Sequence, residues 1–129
     1  MITGIEHTAV FSNDATRLTD WYAANLGFAK VYDNGKGTYF VKSSDGSMFE
    51  IIQTEDRTEI PRDHTAKGLR HVALKVGGVE ELKKKADELI AAGVEVISGP
   101  DVSPKGIAAF FFRDPDGNVL HLIYRPEAL

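Results

Sequence analysis

The chain has no cysteine among its 129 residues. That absence excludes disulfide staples, zinc–thiolate centres and a cysteine nucleophile. Long apolar runs are missing too, and no stretch nears the ~18 residues a membrane-crossing helix needs. The opening Met1-Ile2-Thr3-Gly4 has no basic segment leading into an apolar one, so the expectation is a soluble, cytoplasmic protein. Positive charge is also scarce. Lys and Arg number 15 against 19 Asp and Glu, giving a net charge of −4 and a pI of about 5.5. A nucleic-acid surface concentrates basic residues, so the charge balance argues against a large phosphate-binding surface and no nucleic-acid partner is expected. The one dense basic run, Lys83-Lys84-Lys85, is flanked by Glu80, Glu81, Asp87 and Glu88 and reads as a solvated helix face.

What is present is an ordinary globular composition, 43% hydrophobic and 26% charged in 14.1 kDa, enough for one compact domain with a core. Within it one segment occurs twice. The first copy runs from Ile5-Glu6-His7 to Asp45-Gly46-Ser47-Met48-Phe49-Glu50-Ile51. The second runs from Leu69-Arg70-His71 to Asp116-Gly117-Asn118-Val119-Leu120-His121-Leu122. His7 matches His71 and Glu50 matches His121. An imidazole or carboxylate at each of four repeat-equivalent points is most simply one metal site.

Each copy reads as β-α-β-β-β. In the first, 5–11 is β-compatible, and Asn13 or Asp14 offers a helix N-cap. Leu18, Trp21, Tyr22 and Leu26 then recur at helical spacing, and Gly27 stops the helix. Strands follow at 29–32, 38–43 and 48–54, separated by Asp33-Asn34-Gly35 and Asp45-Gly46. In the second copy, 69–76 is a strand. Val79, Leu82, Ala86, Leu89 and Ile90 mark a helix face that ends at Gly93, and strands follow at 94–97, 107–113 and 119–124. The extra length of this half falls in 98–106, read as a loop because of its two prolines. The fold class is therefore α+β: two tandem βαβββ modules, about 1–55 and 68–127, joined by a polar linker at 56–67.

Strand alternation puts Ile5, Ala9, Met48, Ile52, Ala73, Val119 and Ile123 on the face of the candidate ligands. Val10, Phe49, Ile51, Val72, Leu74, Leu120 and Leu122 fall on the other. Both faces are apolar, so one can pack on a helix and the other can line a shared metal-binding cavity between the two sheets. Tyr39, Phe40, Phe110, Phe111 and Phe112 lie on central strands with parity left open. Trp21 and Tyr22 read as helix core and His64 as an exposed loop residue. Arg113 and Lys105 read as surface residues, with an anionic substrate as the alternative role.

The phrases Ile5-Glu6-His7-Thr8-Ala9-Val10, Trp21-Tyr22-Ala23-Ala24-Asn25-Leu26-Gly27-Phe28 and Arg113-Asp114-Pro115-Asp116-Gly117-Asn118 resemble the vicinal oxygen chelate superfamily. That superfamily includes glyoxalase I, fosfomycin-resistance enzymes, bleomycin-resistance proteins, extradiol dioxygenases and methylmalonyl-CoA epimerase. The resemblance implies paired βαβββ modules, a homodimer, and a divalent metal that a small-molecule substrate meets through oxygen. The family's metal positions fall on His7, Glu50, His71 and His121. The last departs from the pattern, which commonly has glutamate there. One carboxylate with three neutral imidazoles leaves a formal +1 on a divalent ion, a stronger Lewis acid toward an anionic ligand. Nitrogen and oxygen donors without thiolate suit Ni, Zn, Mn, Fe or Co.

The resemblance thus implies a metal-dependent lyase, isomerase or epimerase of the glyoxalase I type. It would act on adjacent oxygen functions through an enediolate, with Glu50 as the candidate base. A second reading is an extradiol-type dioxygenase using His7, His71 and Glu50. A third is an antibiotic-resistance protein, either a transferase or a metal-free binder. The ligands of one site can come from one chain or from both chains of a dimer.

Overall fold

The computed structural model describes residues 1–62 and 65–129. Asp63 and His64, and with them the loop expectation for His64, lie outside the described residues. The chain divides into two units, Met1–Thr58 and Glu59–Leu129.

The first unit contains β1 (His7–Ser12), α1 (Ala15–Leu26), β2 (Ala29–Asp33), β3 (Thr38–Lys42) and β4 (Met48–Gln53). Its sheet has the order β1-β4-β3-β2. β1 runs parallel to β4, and the other neighbours are antiparallel. A parallel pair needs a crossover, which α1 begins. Asp14 caps that helix by accepting from the Arg17 N–H. Gly27 ends it at φ 73°, a left-handed turn that glycine enters without steric cost. Leu18 and Tyr22 on α1 are buried with Val41, Phe49 and Ile51 of the sheet. Tyr22 meets Phe49 edge-on at 5.2 Å between ring centroids.

The second unit repeats the plan with β5 (Val72–Lys75), α2 (Val79–Ala91), β6 (Glu95–Val102), β7 (Ala108–Arg113) and β8 (Val119–Tyr124). Its sheet order is β5-β8-β7-β6, again with the first pair parallel. Leu82, Ala86 and Leu89 of α2 are buried with Phe110, Phe112, Leu120 and Leu122. Both units are thus βαβββ modules, as the duplicated sequence implies.

Several details differ from the sequence reading. β1 and β5 begin later than expected, so Ile5 and His71 stand ahead of their strands. The proline-bearing stretch 98–106 is largely strand: β6 continues to Val102, with register shifts against β7 and a cis Gly99–Pro100 bond. β6 is an edge strand, where a missing proline N–H leaves no sheet partner unmatched. Ile90 lies outside the core at 45% exposure. The lysine run is solvated as expected, but its pairs are i,i+3, Lys83–Glu80 and Lys85–Glu88.

Candidate metal centre

In the first unit the parallel pairing sets Ala9 opposite Glu50 and His7 opposite Met48. His7 and Glu50 therefore share a face, the one away from α1. His7 Nε2 and Glu50 Oε1 are 3.6 Å apart, beyond a hydrogen bond. Two donors each about 2.1 Å from one ion stand roughly 3.0–3.4 Å from each other, close to this spacing. The other ring nitrogen, His7 Nδ1, lies 2.7 Å from Glu6 Oε1. Phe40, opposite Glu50 in the ladder, meets the His7 ring edge-on at 5.4 Å, and Tyr32 meets Phe40 in turn.

The second unit builds its pair from two imidazoles. Ala73 stands opposite His121, and Phe111 stands opposite His121 on the other side. The His121 ring stacks on Phe111 at 3.9 Å, and His71 meets His121 nearly at right angles with 5.2 Å between centroids. His121 is only 9% exposed. Among the described residues neither of its nitrogens has a hydrogen-bond partner, and His71 Nδ1 has none either. Burial pushes the His121 pKa down to about 4, helped by the nearby charge of His71 and then Arg125. Its imidazole is therefore neutral at physiological pH, the protonation state in which histidine binds a metal.

Buried polar atoms are nearly always paired. Three unpaired ring nitrogens, on the histidines that repeat His7 and Glu50, fit a site whose missing partner is a cation. Within each unit, imidazole and carboxylate donors of this kind are ones that divalent transition ions accept. The structure brings the residues together in pairs, His7 with Glu50 and His71 with His121. Among the described residues, no group of three or more His, Asp or Glu side chains is gathered as a ready ligand cluster.

Residues 4–122 match the model of the Glyoxalase/Bleomycin resistance protein/Dioxygenase superfamily. The chain belongs to this superfamily. It is 30% identical over 127 residues to the uncharacterized protein YwkD of Bacillus subtilis (strain 168), covering 95% of this chain and 97% of that one. Among superfamily folds of known structure, it resembles the fosfomycin resistance protein FosX of Listeria monocytogenes, solved with Mn(II) and sulfate. That match has a TM-score of 0.76 at 19% identity, covering 97% of this chain and 92% of that one. Lactoylglutathione lyase from Agrobacterium tumefaciens matches with a TM-score of 0.71 at 21% identity, covering 95% and 93%. At these identities the structural likeness speaks for the superfamily fold.

The side chains the sequence left open are now placed. Phe40 and Phe111 lie on the ligand face. Tyr39 turns toward α1, its hydroxyl 2.7 Å from Thr16, and Phe110 and Phe112 are buried in the core. Arg113 is neither a surface residue nor free for a substrate. It is 5% exposed, donating to Glu95 and to the Gly117 carbonyl. Lys105 is exposed in a turn. Trp21 is half-buried, at the edge of the core that Tyr22 fills. Glu6 escaped the sequence reading; its signal was the contrast between Glu6-His7 and Arg70-His71.

Proposed function

We propose that the chain is a divalent-metal-dependent enzyme of the glyoxalase I type, a lyase, isomerase or epimerase. Its substrate is a small molecule with adjacent oxygen functions. His7, Glu50, His71 and His121 are the proposed ligands, one ion per site, Ni, Zn, Mn, Fe or Co. The observation that carries this reading is the buried, neutral His121 with both ring nitrogens unpaired.

When bound, the ion supplies Lewis-acid polarisation of the substrate's oxygen atoms. The remaining work falls to the chain's own groups. Glu50, if it leaves the ion transiently, takes at Oε1 the proton from the hydroxyl-bearing carbon and returns it to the former carbonyl carbon, while the hydroxyl proton passes to the former carbonyl oxygen. Phe40 and Phe111, flanking the imidazoles, present apolar surface to the substrate's carbon skeleton. The proposal includes the homodimer of the family pattern, with the cavity closed within one chain or by exchange of units between chains.

The test is exchange of the α-proton of hydroxy-carbonyl compounds with deuterated solvent, followed with the metal-loaded protein and its Glu50→Gln variant. Exchange that disappears in the variant while the ion stays bound supports the role of Glu50. Full exchange in the variant removes it.

The stack of His121 on Phe111 favours one further reading. If that stack holds the ring beside the ion, the donor set becomes His7, His71 and Glu50. Two imidazoles and one carboxylate make the facial set of non-haem iron oxygenases. Oxygen uptake with a catechol and Fe(II) separates it from the first reading.

A further inference from the structure

The two halves treat their leading histidine differently. His71 follows Arg70, and its Nδ1 has no partner among the described residues. His7 follows Glu6, whose Oε1 lies 2.7 Å from His7 Nδ1. Adjacent residues within a strand point to opposite faces, so a carboxylate one residue away would not ordinarily reach the ring. Glu6 can reach because β1 starts only at His7. Residue 6 lies outside the ladder and curls back to the ligand face.

We infer that Glu6 is a positioning residue that fixes His7 as the Nδ1–H tautomer and aims its Nε2 lone pair to the side of Glu50. A neutral imidazole carries one N–H. A carboxylate is acceptor-only, so the nitrogen beside Glu6 must be the one that donates. Nε2 is then unprotonated, and it is the atom that stands 3.6 Å from Glu50 Oε1. Two unprotonated acceptors at that spacing repel each other unless a cation lies between them. The Glu6 contact therefore prepares the first half-site for a cation before one arrives. Among the described residues the second half-site shows no such contact, and burial keeps His121 neutral. The inference rests on the metal-binding reading above, with the added content that the His7 tautomer is set in the metal-free protein.

Two readouts test it. The first is the His7 tautomer, from the nitrogen chemical shifts of the metal-free protein about 2 pH units above the ordinary imidazole pKa. The second is Zn(II) affinity, by competition with a chromophoric chelator. The unaltered protein should show the Nδ1–H form. Glu6→Ala should shift His7 toward the Nε2–H form that free histidine favours and weaken Zn(II) binding about tenfold, the low end for a lost outer carboxylate. Glu6→Gln, which keeps a carbonyl acceptor, should restore most of both. An Nε2–H form in the unaltered protein overturns the inference. So does a Glu6→Ala variant with the same tautomer and with Zn(II) affinity within about twofold. If the unaltered protein binds no Zn(II), the metal reading fails along with this role for Glu6. The tautomer measurement then still shows whether Glu6 governs the ring.

Discussion

The His121 imidazole lies almost flat on Phe111, 3.9 Å between centroids and 13° between planes. The stack covers one side of the ring while His71 closes on it edge-first. Both nitrogens are shut off from solvent, and among the described residues no protein group pairs with them. The same residue therefore has a depressed pKa and unused donor capacity.

That depression makes stability depend on pH. As pH falls from the ordinary imidazole value of 6.5 toward about 4, the unfolded chain takes up a proton at position 121 that the folded chain refuses. The stability contributed by neutral His121 is complete above that ordinary value and is lost as pH falls through the interval. A His121→Phe variant cannot take up that proton, so its urea midpoint should fall less than that of the unaltered protein between these pH values. Equal falls in the two proteins would contradict the burial account.

Arg113 makes a different prediction. Its buried guanidinium donates to Glu95 and to the Gly117 carbonyl, linking β6 to the turn before β8. Arg113→Leu should cost about 2 kcal/mol, chiefly by stranding that carbonyl, and urea unfolding measures it. The Glu95 carboxyl is held below its usual range first by its hydrogen bond to Arg62, with Arg113 a smaller influence. Its pKa should therefore rise only partly in the variant. A full return to the ordinary glutamate value would reverse that order.

Gly99 gives a backbone prediction. It sits at φ +88°, and a Cβ there would lie 2.6 Å from the Ala109 carbonyl oxygen of the neighbouring strand. Gly99→Ala should destabilise the protein by about 2–4 kcal/mol through steric conflict and the left-handed backbone. Unfolding at the unaltered midpoint would show that the strand yields cheaply.

Much of this was legible in the sequence, for identifiable reasons. The duplicated βαβββ order followed from apolar spacing and from turns such as Asp33-Asn34-Gly35. Asp14 and Gly27 bounded α1 as their chemistry demands. Repeat equivalence matched His7 with His71 and Glu50 with His121, and strand alternation put the two residues of each copy on one face. Pro100 misled, since proline usually breaks strands and nothing in the sequence shows that β6 lies at a sheet edge. The fate of Arg113 depends on Glu95, a contact between strands. Phe111 and Glu6 became visible only with register and strand start, which composition does not encode.

The most direct test of the proposed site, with His7, Glu50, His71 and His121 as ligands of one ion, is metal content per chain. Protein purified without chelator would be compared with a His7→Ala/Glu50→Gln variant and a His71→Ala/His121→Ala variant by elemental analysis. The account predicts about one divalent transition ion per chain in the unaltered protein and loss of it in both variants, each of which removes half the donors. No ion in the unaltered protein, even after incubation with Ni, Zn, Mn, Fe and Co, would contradict it. So would a variant that keeps its ion with one pair gone.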